Sequence, residues 1–420
     1  MSNLNRNLIA LLLVGAVSAC AHADWRLVAT GGPGVRYESG VCYDSNRGVT
    51  VMFGGSNIDG LLNDTWEWNG SIWTQKATTG TVPGARSMAY FAYDSDRKVT
   101  LMFGGYGSGV NGAMNAETWE YNGTKWTQMN VQGPSGRQGG GMAYDPLHHE
   151  MVLFGGSTAR DGTGVVNQTW TWNGSKWSLA NSSGPSPRFN LSMAYDSLRQ
   201  CVVLFGGSDT NLNESGDTWE WNGTRWSQVS NEDILPRGEF GIVFDSGMNR
   251  TIMFGGLTGN ESGPTIAGME TWDGNEWRFI QTPLSGVPTL RNPGMCYDSK
   301  RDRIVMFGGE KSNGNYDFVN TTWEWVPEPV PSLIALPSIV GGNQGSGIVY
   351  LTGPAGADGT VVNLSCNNST VKVTSSIRIP AGKSQGTFTY QTTKSSSTFS
   401  VQVTASVNDA SVVETLKVVG

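Results

Sequence analysis

The triplet Phe-Gly-Gly recurs along this chain, beginning at Phe53, Phe103, Phe154, Phe205, Phe254 and Phe307. Ten residues before each Phe stands an aromatic followed by Asp: Tyr43, Tyr93, Tyr144, Tyr195, Phe244 and Tyr297. After each triplet comes a segment like Thr-Trp-Glu-Trp-Asn-Gly. In the first five copies another Trp follows five residues past its second aromatic. A period of about 50 residues is too short for an independent domain, so each unit must bury its faces against copies of itself.

Each unit reads as four strands. The first is expected to run from a recurrent Arg to the aromatic-Asp pair, ending in a tight turn such as 44–48. The second, Val51-Met52-Phe53 and its copies, is apolar at every position. That pattern belongs to a strand covered on both faces, whereas a half-exposed strand alternates. The Gly pair ends it, giving positive φ or close backbone approach. The third strand carries Trp66 and Trp68, Asn69-Gly70 supplies hairpin-turn chemistry, and the fourth begins at Trp73.

The 16 tryptophans set the number of units. One slot holds Trp66, Trp119, Trp170, Trp219 and Trp323, with Glu270 in the fifth unit. A second holds Trp68, Trp172, Trp221, Trp272 and Trp325, with Tyr121 in the second unit. The third holds Trp73, Trp126, Trp177, Trp226 and Trp277, and the sixth unit ends before reaching it. The missing member lies at the other end, where Trp25-Arg26-Leu27-Val28-Ala29-Thr30 parallels Trp277-Arg278-Phe279-Ile280-Gln281-Thr282. The N-terminal strand is therefore expected to complete the sixth unit, closing a ring and removing its exposed sheet edges. The expected class is all-β, a six-bladed β-propeller closed by an N-terminal strand.

On these motifs the chain resembles the kelch family, in the bacterial secreted subset built on Arg…Tyr-Asp…Phe-Gly-Gly…Thr-Trp-Glu-Trp, over residues 24–326. The resemblance implies a propeller like the central domain of galactose oxidase. It does not imply one activity, since such propellers serve as binding scaffolds and as enzymes.

The remaining segments frame this body. Residues 1–23 read as an export signal: Arg6, then an apolar run from Leu8 to Val17 too short for the about 20 residues of a membrane span, then Ala21-His22-Ala23. Val17-Ser18-Ala19-Cys20 also resembles a lipobox, which would anchor the chain through lipidated Cys20 at the outer surface. Both readings place the protein outside the cytoplasm. After residue 326 a Pro-rich linker, 327–332, leads to 333–420. There, short runs such as Gly347 to Leu351, Val361 to Leu364, Thr387 to Tyr390 and Phe399 to Val403 suggest a β-sandwich. Gly341-Gly342 and Ile379-Pro380-Ala381-Gly382 resemble bacterial Ig-like surface domains. A net charge of −7 argues against nucleic-acid or anionic-membrane partners. Cys42, Cys201, Cys296 and Cys366 stand singly inside apparent strands, so no disulfide framework and no zinc site is expected.

Length variation points to one end of the ring. The aromatic-Asp to Phe spacing is always 10, and the second aromatic to the third Trp always 5. From Phe to the second aromatic the spacing ranges from 15 to 18, and from the third Trp to the recurrent Arg from 11 to 14. Both variable connections (second to third strand, fourth strand to the next first strand) lie on one face, where variable loops on a rigid scaffold carry binding. That face should carry Arg36, Arg86, Arg137, Arg188, Arg237 and Arg291 at the channel mouth. They would either form a cationic ring for an anion or pair within the blades with carbonyls and with acids such as Asp64, Glu117 and Asp217. Tyr106, Asn111, Arg160, Asp161, Asp209, Tyr316 and Phe318 occupy the long loops, and aromatics with polar neighbours suit a sugar ring.

The expected role is a non-catalytic extracellular binding module for a glycan or protein. His148 and His149 are the only histidines after the signal and lie in a turn on the opposite face, so neither copper-oxidase ligands nor a Ser-His-Asp triad can be assembled at the mouth. No cofactor or metal is expected. Glu38 and Glu239, placed in first strands near the channel, leave a sugar-active enzyme open, with the sialate mutarotases as a kelch precedent. A structural part of a sheath, matrix or filament is the third alternative.

Overall fold

In the computed structural model the repeated units are small antiparallel sheets. It describes residues 24–420 except 78–79, 108–113, 181–182, 232–233, 260–262, 281–285, 312–316, 327–328, 330, 352, 354, 356–358 and 408–409. The export signal with Cys20, loop residues Asn111 and Tyr316, and much of the Pro-rich linker lie outside the described residues. No helix appears among the described residues, and none is long and apolar enough to cross a membrane. The chain divides into two compact units, Ala23–Pro327 and the residues from Glu328 to Gly420.

In the first unit, five four-stranded sheets occupy 40–75, 90–129, 141–179, 192–231 and 241–280, here sheets 1 to 5. Sheet 6 joins Gly294–Asp298, Arg303–Phe307 and Thr322–Val326 to the distant Asp24–Ala29. The first strands pack in cyclic order: Gly40–Asp44, Tyr90–Asp94, Gly141–Asp145, Ser192–Asp196, Gly241–Asp245, Gly294–Asp298 and back to Gly40–Asp44. This closed cycle of small antiparallel sheets is compatible with a propeller. The second strands, such as Val51-Met52-Phe53, are buried on both faces. Their closing glycines need the left-handed region: Gly54 has φ 63°, and a Cβ there would lie 2.6 Å from the Arg86 carbonyl oxygen.

The tryptophan slots are where neighbouring sheets lock. Each third-slot ring stands edge-on against the Phe-Gly-Gly phenyl of the preceding sheet. The six pairs are Trp73–Phe307, Trp126–Phe53, Trp177–Phe103, Trp226–Phe154, Trp277–Phe205 and Trp25–Phe254, with centroids 5.0 to 5.4 Å apart. Five of these indoles also donate Nε1–H to a Thr hydroxyl of that preceding sheet, at 2.8 to 3.0 Å. Trp25 finds Met269 where the others find Thr, and its buried Nε1 has no acceptor. It is nevertheless buried, and its strand pairs along Trp25↔Trp325, Arg26↔Glu324 and Leu27↔Trp323.

The tight turn after each first strand is held by its buried Asp. Arg47 donates its backbone N–H to Asp44 Oδ1 at 2.9 Å and its Nε to Oδ2 at 2.6 Å, while Nη1 reaches Glu67 at 2.5 Å. Arg97, Arg199 and Arg301 repeat this with Asp94 and Glu120, Asp196 and Glu220, Asp298 and Glu324. In sheet 5 the Arg is replaced by Met248 and the Glu by Thr271, and Asp245 stays fully buried. Burial pushes its carboxyl up from the ordinary 3.8 to about 6, against the backbone N–H groups of Gly247 and Met248 that favour the anion. An acid that holds its proton more tightly when folded loses stability as pH rises from its unfolded to its folded pKa. The expected loss between pH 4 and 6 is about 3 kcal/mol. Asp245→Asn should therefore gain on the parent chain as pH rises, by up to about that amount at pH 8, in urea unfolding followed by tryptophan fluorescence. A variant weaker than the parent at pH 8 would show that the anion is well solvated there.

The C-terminal unit has two sheets. One orders Pro331–Ala335, Gln344–Leu351, Gln385–Thr392 and Val371–Val373. The other orders Ile339–Val340, Ala410–Val419, Phe399–Val407, Thr360–Cys366 and Ser376–Ile379, with the first pair parallel. Their inward residues, including Val349, Val362, Phe388, Val403 and Leu416, share one apolar core.

Candidate functional site

Five of the recurrent arginines are buried within their own sheets. Arg36 binds Asp64 through two nitrogens (2.6 and 2.9 Å), Gly54 O at 3.1 Å and Gly34 O at 3.1 Å. Arg86 pairs with Glu117 at 2.6 Å, Arg188 with Asp217 at 2.5 and 2.9 Å, and Arg237 with Glu270 at 2.7 and 2.9 Å. Arg137 has the neutral partner Gln168 at 2.7 Å, and its Nη1 has no acceptor, because the Tyr90 hydroxyl donates to Gly155 O, the carbonyl matching Gly54 O. These side chains fasten the two loops of one sheet together and present no cationic ring to the channel. Glu270 stands in a tryptophan slot for the same reason: Gly268 fills the position of Asp64 in sheet 5 and has no acid to offer Arg237.

Arg291 does not belong to this set. The arginine slot is recognised by its carbonyl, which accepts the N–H of the second glycine of a neighbouring Phe-Gly-Gly, as Arg86 O accepts from Gly55. In sheet 6 that carbonyl is Leu290 O, accepting from Gly256. Arg291 is one residue further on, half-buried, and reaches the buried Glu310 at 2.7 and 3.0 Å and Glu239 at 3.6 Å.

The mouth of the channel is formed by a different set. Glu38, Met88, Gly139, Asn190, Glu239 and Asn292 each precede a first strand rather than lying in it, as was expected of Glu38 and Glu239. All six have φ between 49° and 65°. Their backbones form a closed circle of hydrogen bonds: Met88 N–H donates to Glu38 O, Gly139 to Met88, Asn190 to Gly139, Glu239 to Asn190, Asn292 to Glu239 and Glu38 to Asn292, at 2.5 to 3.3 Å. Such a circle needs each residue to turn left-handed, a conformation easy for Gly and tolerated by Asn, and strained for Glu and Met. The six line a cavity of about 150 Å³ with Ser39, Ser192 and Pro293 among its walls. Along the first strands a second cavity has a mostly polar wall, because Val41, Phe91, Met193 and Met295 pack against the glycines of neighbouring first strands, Gly294, Gly40, Gly141 and Gly241.

Two carboxylates and two amides thus gather at one mouth. Asn190 Nδ2 donates to Glu239 Oε1 at 3.2 Å. Tyr37 stacks on Phe318 at 4.6 Å, and burial, with the charges of Glu38 and Glu310, pushes its hydroxyl up to about 12. Phe318 is buried in that stack, so it offers no open face for a ligand. Arg160 lies 4.7 Å over the Tyr106 ring, and Asp161 caps its own loop through Thr163. Neither residue lines the cavity. His148 binds Asp145 at 2.8 Å in a first turn, and His149 contacts Asp96. Burial holds the thiols of Cys42, Cys201 and Cys296 above their ordinary range. Among the described residues no group of three or more His, Cys, Asp or Glu is placed to hold a metal ion.

No protein-family model matches this chain, and no curated protein matches it. Among solved structures, one titled "Structure of YjhT" superposes with a TM-score of 0.54 at 13% identity, over 70% of this chain and 96% of that one. At that identity the likeness is one of fold.

Proposed function

We propose that residues 24–326 form a six-bladed kelch-type propeller, exported by residues 1–23 and followed by an Ig-like sandwich, and that its channel mouth binds a small polyhydroxylated ligand without turning it over. The observation that carries this reading is the circle of six left-handed residues, which gathers Glu38, Asn190, Glu239 and Asn292 around one cavity. Carboxylates and amides together answer hydroxyl groups, each of which donates and accepts. The cavity, at roughly 30 Å³ per water, holds about five waters, the space of one sugar ring left partly in solvent. A second reading, a sugar-active enzyme, draws on the two carboxylates sharing that mouth. A carboxylated substrate of the sialate kind suits it poorly, because the arginines that would receive it are engaged.

Glu38→Gly tests the site. Sheet 3 already carries Gly139 at this position, and glycine relieves the left-handed strain, so the fold should stay within about 1 kcal/mol of the parent. Calorimetric titration with neutral monosaccharides should show binding in the parent and its loss in the variant. Equal binding by both chains would overturn the site. Turnover of the bound sugar by the parent, abolished in Glu38→Gly, would favour the enzyme.

A further inference from the structure

The junction between sheets 5 and 6 lacks the polar locks that join the other sheets. In the third tryptophan slot five indoles donate to a Thr of the preceding sheet, whereas Trp25 finds Met269 and its buried Nε1 has no acceptor. In the second slot Trp68 donates to Glu324 of sheet 6 at 3.1 Å, the Tyr121 hydroxyl to Glu67 of sheet 1 at 3.0 Å, and Trp272 to Glu220 of sheet 4 at 3.2 Å. Sheet 5 has Thr271 at that Glu position, and the buried Nε1 of Trp325 is unmatched. At the turns Arg301, Arg47, Arg97, His148 and Arg199 pack under a glycine of the next sheet, namely Gly70, Gly123, Gly174, Gly223 and Gly274. Sheet 5 has Met248 in that place, and no hairpin of sheet 6 covers it. Sheets 3 and 4 also hold an indole without an acceptor, Trp172 and Trp221, but among the described residues only the junction of sheets 5 and 6 lacks all three contacts. Buried donors left unmatched weaken the closed state there.

The strand that closes this junction is lightly held. In the other five sheets a tight hairpin ties the fourth strand to the third, whereas Asp24 and Val326 are ladder partners from distant parts of the chain. The ladder is irregular between Leu27 and Ala29, and of residues 25–28 only Trp25 is buried. Just beyond the strand, a Cβ on Gly31 would meet nothing within 4 Å, while one on Gly32 would lie 2.6 Å from Trp73. The strand can therefore swing about Gly31 while Gly32 stays seated on the ring.

We infer that Asp24–Ala29 exchanges between copies of this chain, leaving its own sheet 6 and completing sheet 6 of a second copy. The groove it vacates is shaped for one ring, with Phe254 and Trp325 at 5.1 and 5.9 Å from Trp25, and it exposes the open edge of Thr322–Val326. The occupant that fits both is the same strand of another copy, which remakes every contact that was given up. Reciprocal exchange gives a closed dimer, and passing the strand onward gives a chain of rings. The inference does not depend on what the mouth binds.

The test mixes two full-length variants, both carrying Cys20→Ser and Cys366→Ser so that the remaining thiols, Cys42, Cys201 and Cys296, are buried. One adds Asp24→Cys and the other Val326→Cys, positions that face each other in the ladder. Folding is verified by the tryptophan fluorescence midpoint. After incubation at high concentration and mild oxidation, crosslinked pairs of unlike chains should outnumber pairs of like chains by at least about tenfold, because exchange alone sets 24 of one copy against 326 of another. Unlike and like pairs in the proportions of chance collision, or no pairs at all, would overturn the inference. One chain bearing both cysteines, oxidised while dilute, should keep its strand and form no dimer on concentration. A dimer persisting in that locked chain would place the contact elsewhere and overturn the inference. Met269→Thr gives Trp25 the acceptor found at the other five junctions and should slow the appearance of unlike pairs about fivefold. A rate unchanged or faster would overturn the junction as the cause.

Discussion

Deleting residues 24–30 should abolish the cooperative unfolding of the first unit or lower its midpoint by about 10 °C or more. The strand Asp24–Ala29 is the outermost strand of sheet 6, and without it Thr322–Val326 becomes an open edge. The buried Trp25 ring would also leave Phe254 and Trp325, its partners at 5.1 and 5.9 Å. Trp25→Ala alone is expected to cost about 3–5 kcal/mol, the usual range for a large aromatic removed from a core. All 16 tryptophans lie between positions 25 and 325, so indole fluorescence reports this unit without interference from the C-terminal one. Adding the 24–30 peptide to the truncated chain should restore part of the transition through strand pairing. An unchanged midpoint after truncation would mean that the ring does not depend on its closing strand.

The second large effect concerns Arg237 and Glu270, buried to 1% and 7% exposure and joined at 2.7 Å. Arg237→Leu leaves a carboxylate out of water without its guanidinium and should cost about 3–5 kcal/mol, and Glu270→Trp alone should cost a similar amount. Combining them should recover most of the loss. Sheet 6 is the internal precedent, with Leu290 in the arginine slot and Trp323 in the slot of Glu270. Urea unfolding of the parent, both single variants and the double variant gives the coupling directly. Additive losses in the double variant would show that the two side chains act independently.

How much of this was legible beforehand depended on whether a feature lives in side chains or in the backbone. Closure was legible because tryptophan is rare and large, and Trp25 matched Trp277 in sequence as it does in packing. The end of the ring bearing the cavity could be placed from loop lengths. The circle at the mouth could not, because positive φ is shared by Glu38, Met88, Gly139, Asn190, Glu239 and Asn292, which have no chemistry in common. Arg291 was grouped with five arginines because a variable loop precedes it, and one extra residue there cannot be told from a longer loop. The loop aromatics were attractive by type, and Phe318 turned inward onto Tyr37.

The circle of backbone hydrogen bonds has a consequence for how such a mouth can change. Its peptide dipoles run head to tail around the axis, so in the plane of the ring they cancel, and the scaffold imposes no sign of potential at the centre. The field there is set by the side chains at the corners and by the charges beside them, such as Arg291 at 3.6 Å from Glu239. Each of the six sits at a corner whose backbone role any left-handed residue can perform, as the present mixture of Glu, Met, Gly and Asn demonstrates. Selection can therefore exchange these corners one at a time, moving the mouth from acidic to neutral to basic, while the frame that holds them stays the same.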